Sequence, residues 1–154
     1  MRKNITQIRD LDLIESELKT NVAGVLALKR GVEKITQIAT PFLYQDKNIY
    51  IFFGSDNEYF EKIRFNDYAC FTIIKTGQTQ KTEGIDFDPT YNFFSISIKG
   101  KIRNIEDNKL IEDLRQNYLI KYKKVVEGTV NFSAINRIVI IDSEEIQALE
   151  ETGG

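Results

Sequence analysis

An α+β fold built on a six-stranded antiparallel β-barrel, closed or partly closed and with short helices over its ends, is what this sequence predicts. Three observations carry the prediction. Six β-prone runs are separated by polar turns, two or three short stretches show helical apolar spacing, and ten Phe and seven Tyr without any Trp lean towards strands. At 154 residues the chain fits one domain spanning 1–154, long enough to bury a core without disulfides or metals. No internal repeat, low-complexity tract or interdomain linker divides it.

Asp10 is placed to cap a helix through about Leu18, in which Leu11, Ile14 and Leu18 fall on one apolar face suited to covering a barrel end. Val22 to Lys29 is β-prone, and a charged turn around Arg30 to Lys34 leads into a second strand, Ile35 to Tyr44. Pro41 cannot donate to a ladder, so this strand must have an edge, a bulge, or a place where a ligand replaces a neighbour. A turn over Gln45 to Asn48 joins it, as a hairpin, to Ile49 to Phe53, which is apolar nearly throughout and expected to be buried on both faces.

Gly54 to Asn57 forms a polar turn, from which Asn57 or Asp56 caps a short helix to about Phe65 with Phe60 and Ile63 inward. Asn66-Asp67 ends that helix, and Tyr68 to Lys75 is the next strand. Thr76 to Thr90 is a long polar loop of a length that is commonly functional. Tyr91 to Asn104 carries a long β pattern in which Phe94, Ile96, Ile98 and Ile102 share a side, with Gly100 marking a bend or close backbone approach. Asp107 caps a helix to about Lys124, with Leu110, Ile111, Leu114, Tyr118 and Tyr122 at the helical period. The final strand is Arg137 to Asp142, followed by a polar tail.

Composition narrows the chemistry. A formal net charge of -2 gives no long-range field for a polyphosphate backbone, so no nucleic-acid partner is expected. The basic run Lys121-Tyr122-Lys123-Lys124, with Lys99, Lys101 and Arg103, reads as a solvated helix end and strand surface. The single Cys70 cannot form an intrachain disulfide, and Met1-Arg2-Lys3-Asn4 leads into charged sequence, so a cytoplasmic setting is expected. Apolar runs such as Ile138 to Ile141 fall far short of a bilayer, so no membrane partner is expected. Histidine is absent, which removes the commonest general base, the commonest metal ligand and every histidine triad, so no metal site is expected.

Several runs together carry a family resemblance: Gly24-Val25-Leu26-Ala27-Leu28, Gln37-Ile38-Ala39-Thr40-Pro41-Phe42, Ile49-Tyr50-Ile51-Phe52-Phe53, Lys62 to Ile73, Ser95 to Ile102, and Arg137 to Ile141. Their order resembles the pyridoxamine-phosphate-oxidase-like, or FMN-binding split-barrel, family. The resemblance implies a split β-barrel that forms a homodimer, binds a small-molecule ligand, and holds FMN in a groove between subunits. It places backbone groups of Ile38, Ala39 and Thr40 against the ring, with Gln37 opening that stretch. Phe52, Phe53, Gly54, Ser55 and Asn57 would follow the ribityl and phosphate path, Tyr59 would stack or donate its hydroxyl, and Lys62 would bind the phosphate.

Two departures remove positive charge. Gln37 stands where flavin-binding relatives often carry arginine, and Glu58-Tyr59 where they often carry a basic pair. A lost charge-assisted hydrogen bond costs on the order of 1.5 to 3 kcal/mol, which Lys62, or Lys75 or Arg137 supplied by a second subunit, would offset. True pyridoxamine-phosphate oxidase continues into a segment with basic substrate-binding residues, where this chain has Glu150-Glu151-Thr152-Gly153-Gly154. The expected function is therefore a flavin-dependent redox role on a small molecule, with FMN exchanging a hydride and no acid-base side chain required. Two alternatives stand beside it: a non-enzymatic split-barrel ligand-binding protein that has lost FMN, favoured by the missing basic pair, and a relative in haem utilisation. Without histidine, haem iron would need Tyr, Cys70 or Met1 as its ligand.

Overall fold

Antiparallel pairing between neighbouring runs organises the computed structural model, which describes residues 3–30, 34–54, 57–76, 91–123 and 135–153. In chain order the elements are β1 (Lys3–Ile8), α1 (Leu11–Thr20), β2 (Ala23–Arg30), β3 (Lys34–Pro41), β4 (Leu43–Gln45) and β5 (Asn48–Gly54). They continue with α2 (Glu58–Glu61), β6 (Tyr68–Thr76), β7 (Tyr91–Asn104), α3 (Asn108–Lys123) and β8 (Ile135–Gly153). The strands form one curled antiparallel sheet in the order β3-β2-β6-β7-β8-β5-β4, with β1 also paired to β8.

The expected six strands are eight among the described residues. The polar tail is in fact the second half of β8, which pairs with β1 from Ile8↔Ala148 to Lys3↔Gly153 and with β7 on its other side. Only one face of these segments is covered: Ala148 is buried, whereas Gln147 and Ile5 are exposed. The run Ile35 to Tyr44 is two strands, broken at Phe42. The short helix α2 ends at Glu61 instead of about Phe65, and Asn66 then takes a φ of 70° in the turn before β6. The 77–90 segment and Lys124 lie outside the described residues.

Local chemistry fixes the remaining boundaries. Asp10 caps α1 through Oδ1, which accepts from Asp12 N and Leu13 N, and Asp107 does the same for α3 with Lys109 N and Leu110 N. Each cap contributes about 1 kcal/mol. The β4–β5 hairpin turns on Asp46 and Lys47, both at positive φ (51° and 66°), the geometry that matches strand twist in a two-residue turn. Gly100 sits at a β-bulge against β8, where an added Cβ would lie 1.9 Å from the Asp142 carbonyl oxygen.

The interior of the curl holds Leu26, Phe42, Ile51, Phe71, Ile96, Ile98 and Val139, closed at one end by Ile14 and Leu18 of α1. Helix α3 covers the opposite face of the β4–β5–β8 region through Leu114, Tyr118 and Tyr122 against Leu43, Tyr50 and Ile138. That sandwich is why β5 is buried on both faces. At the break between β3 and β4, the end of α3 takes the place of a ladder partner. Phe42 N–H donates to the Tyr122 hydroxyl oxygen (3.0 Å), and Lys121 Nζ donates to the Phe42 carbonyl (3.0 Å). The Tyr122 hydroxyl donates in turn to the Val22 carbonyl.

Candidate functional site at the free edge of the sheet

Among the described residues strand β3 pairs only with β2 and so forms one edge of the sheet. In an antiparallel pair, alternate residues of an edge strand turn their N–H and C=O groups away from the neighbour. This is the edge that Pro41 requires, and the proline closes the strand. Gln37 and Ala39 are exposed on the outward face, Ile38 packs against the core, and Thr40 is buried with its hydroxyl bonded to the Pro41 carbonyl (3.1 Å).

The residues expected along the ribityl and phosphate path do not converge on one cleft. Phe53 is in the inner core, its ring 5.8 Å from that of Phe60. Phe52 points the other way and stacks at 4.2 Å on Tyr118, beneath α3. Gly54 is half-buried at the register shift that ends β5, and Ser55 lies outside the described residues. Asn57 caps α2, its Oδ1 accepting from Tyr59 N at 2.9 Å, and Tyr59 is half-buried against the core. Lys62 is exposed at the other end of α2, with no ion pair among the described residues.

Two other cations are committed within the chain. Arg137 is bonded to Glu61 and lies 4.6 Å from the Phe60 ring centroid, while Lys75 pairs with Glu17 at 3.1 Å. The fit to a flavin therefore divides. An edge strand with no second ladder partner among the described residues, beside two exposed side chains, suits a flat heteroaromatic ring whose rim needs hydrogen bonds. Near α2 the phosphate end offers exposed Lys62 and Arg64, neither in an ion pair among the described residues, with Glu58 exposed beside them.

Three grooves among the described residues, of about 270, 370 and 480 Å³, are lined by none of the eleven residues expected to touch FMN. The largest nonetheless adjoins the β3 edge. Gln37, Ala27, Cys70, Lys99 and Glu145 form one cross-strand row, and the groove takes in Ala27, Cys70 and Lys99 from it. Lys29 and Lys34 also line it, and Lys101 Nζ lies 5.8 Å from the ring centroid of Tyr68 on its floor. Sequence reading missed this gathering because the lysines come from three separate strands and meet only through the order β3-β2-β6-β7. The Glu144 carboxylate bonded to the Tyr68 hydroxyl raises that group's pKa.

No protein-family model and no curated protein sequence matches the chain. Solved structures do match. A protein of Bacteroides thetaiotaomicron provisionally assigned to 5-nitroimidazole antibiotic resistance superposes over 100% of this chain and 93% of its own, with a TM-score of 0.78 at 14% identity. An FAD-binding protein of Mesorhizobium loti covers 95% of this chain and 97% of its own, with a TM-score of 0.66 at 19% identity. A provisionally assigned pyridoxamine 5'-phosphate oxidase of Corynebacterium glutamicum covers 100% and 98%, with a TM-score of 0.64 at 15% identity. The chain thus has the split-barrel fold of the pyridoxamine 5'-phosphate oxidase-like and flavin-binding proteins; at these identities the likeness is one of fold.

Proposed function

We propose that the protein binds FMN along the β3 edge, in a seam completed by a second copy of the chain, and serves a redox role on a small molecule. The observation that carries this reading is the position of β3 at the edge of the sheet among the described residues, with exposed Gln37 and Ala39, in a fold shared with FAD-binding proteins. A bound flavin would supply the hydride chemistry. The chain's own part is to orient the ring through β3 backbone groups and to keep water from it. A chain without histidine can do both.

A second copy has a surface to meet. At the β1–β7 end of the outward face, Ile5, Ile74 and Phe93 are exposed by 55%, 61% and 39%. Register places Glu151 between Phe93 and Ile5, with Ile74 opposite Ser95 in the next row of the same face. No helix among the described residues is long and apolar enough to cross a membrane, and a cytoplasmic home suits the free thiol of Cys70.

The absorption spectrum of the purified protein tests the reading. A yellow preparation, with flavin fluorescence on denaturation and a dimer by sedimentation, is expected. A colourless preparation that ignores added FMN defeats it. Lys62→Glu is expected to weaken FMN by about tenfold or more, equivalent to roughly 1.4 kcal/mol, and an unchanged affinity removes Lys62 from the site. One observation favours a second reading, a split barrel that binds a ligand without flavin chemistry: Glu58 opens α2 and Arg137 is held by Glu61, so little charge is left for a phosphate dianion.

A further inference from the structure

Where β2, β3, β6 and β7 run side by side, the outward face of the sheet carries a groove of about 480 Å³. Its floor is apolar, formed by Ala27, Ile35 and the ring of Tyr68. Ile35 is 78% exposed and Tyr68 58%. Its rim is cationic. Lys29 stands opposite Ile35, Lys99 opposite Cys70, and Lys101 opposite Tyr68, while Lys34 enters from the start of β3.

Lysines on strand surfaces are commonly just solvated. Here four of them surround two exposed side chains with apolar surface, Ile35 and Tyr68. Among the described residues the opposing charge lies on β8: Glu145 faces Lys99 across the sheet, Asp142 faces Lys101 and pairs with Arg103, and Glu144 is engaged by the Tyr68 hydroxyl. Lys29, Lys34 and Lys99 make no ion pair among the described residues. On a chain with a formal net charge of -2, this is a local reversal of sign over an apolar floor.

We infer that this groove is a binding site for a small aromatic anion. Its flat body would lie on Ile35 and Tyr68, and its carboxylate or sulfonate would be held by Lys29, Lys34 and Lys99. A long polyanion is disfavoured, since Glu144 and Glu145 border the patch on the β8 side. The site does not depend on the flavin reading, because none of its lining residues is one expected to touch FMN; Gln37 only shares its cross-strand row.

The test uses the full chain as purified and two fluorescent probes of nearly the same shape, the anion 8-anilino-1-naphthalenesulfonate and the neutral N-phenyl-1-naphthylamine. The anion is expected to bind saturably, one per chain, and to shift the amide resonances of Ala27, Ile35 and Cys70. Lys29→Gln combined with Lys99→Gln should weaken it by about tenfold or more and leave the neutral probe within about twofold. Should that double variant not fold, Lys34→Gln alone and a salt titration of the wild type serve, the anion's affinity falling as salt rises. Absence of saturable binding, indifference of the anion to lysine removal and to salt, or resonance shifts centred on Lys19 and Lys121 instead would each overturn the assignment. Neither FMN content nor its absence bears on any of these readouts.

Discussion

Tyr122→Phe removes one oxygen atom from the place where α3 stands in for a missing strand partner, and its cost can be worked from the contacts. The hydroxyl accepts from Phe42 N–H at 3.0 Å and donates to the Val22 carbonyl. Phe42 is fully buried and Tyr122 is 8% exposed, so no water replaces the lost acceptor, and the Phe42 N–H is left unpaired at a cost of about 1 to 3 kcal/mol. The Val22 carbonyl belongs to a residue 39% exposed and can turn to solvent, adding little. The Phe42 carbonyl keeps its bond from Lys121. The expected loss is thus about 2 kcal/mol, which at a urea slope of about 2 kcal/mol per molar lowers the midpoint by roughly 1 M with the slope unchanged. Tyr122→Phe and Lys121→Met meet on the same backbone unit, so the double variant should depart from additivity by about 0.5 kcal/mol or more. A single variant within about 0.5 kcal/mol of wild type would refute the idea that this hydroxyl bridges the strand break.

Burial lowers the Lys121 amine to about 8, against the hydrogen bond to Phe42 and a ring centroid 3.8 Å away that favour the ammonium. The unfolded chain then holds a proton that the folded chain has released, between pH 8 and the ordinary lysine value of 10.5. Stability should therefore rise with pH from about 8, and Lys121→Met should abolish that rise in urea melts at stepped pH. Above pH 10 the trend reverses. Tyr44, raised to about 12 by burial and by Glu15, and Tyr122, raised to about 12 by burial, keep in the folded state protons that the unfolded chain has lost. Gly100→Ala forces a Cβ to within 1.9 Å of the Asp142 carbonyl oxygen and 2.6 Å of its carbon, backbone atoms with no rotamer to retreat into. A loss of about 3 kcal/mol or more is expected by thermal melting, and a melt like wild type would contradict the geometry of the bulge.

Elements whose residues speak twice were legible in the sequence. Asp10 and Asp107 announced α1 and α3 by capping chemistry as well as by apolar spacing, and Gly100 marked the bulge within a strand predicted over Tyr91 to Asn104 as found. Hidden elements are those covered on one face only. β1 and the second half of β8 read as charged ends because Glu145, Gln147 and Glu151 alternate with Ile146, Ala148 and Glu150, and their partnership is between the two ends of the chain. The division of Ile35 to Tyr44 was foreshadowed by Pro41, yet its cause, a tyrosine and a lysine 80 residues away, has no local signature. For the site, sequence reading found the strand that becomes the free edge. It did not find the lysines that assemble around Ile35, since register decides that and no single run contains it.

The two faces of this sheet do different work, and the division explains why the site is hard to read from the chain. Inward positions of β2, β6, β7 and β8 are filled by Leu26, Phe71, Ile98 and Val139, whose burial holds the curl together at roughly 1.5 to 3 kcal/mol each. Outward positions are freed from that task and can vary in charge without changing the fold. At the β1 end the outward face is apolar with Glu151 beside Ile5; at the β3 edge it is cationic around Tyr68. A fold that keeps its core on one side in this way can take a flavin, another flat ligand or a second subunit on the other by changing a handful of surface residues. Gln37 on β3, Lys29 one strand away and Lys99 three strands away are surface residues of that kind. If the proposed sites are used, substitutions along the row that runs from Gln37 through Ala27 and Cys70 to Lys99 should alter ligand affinity while leaving the melting transition in place.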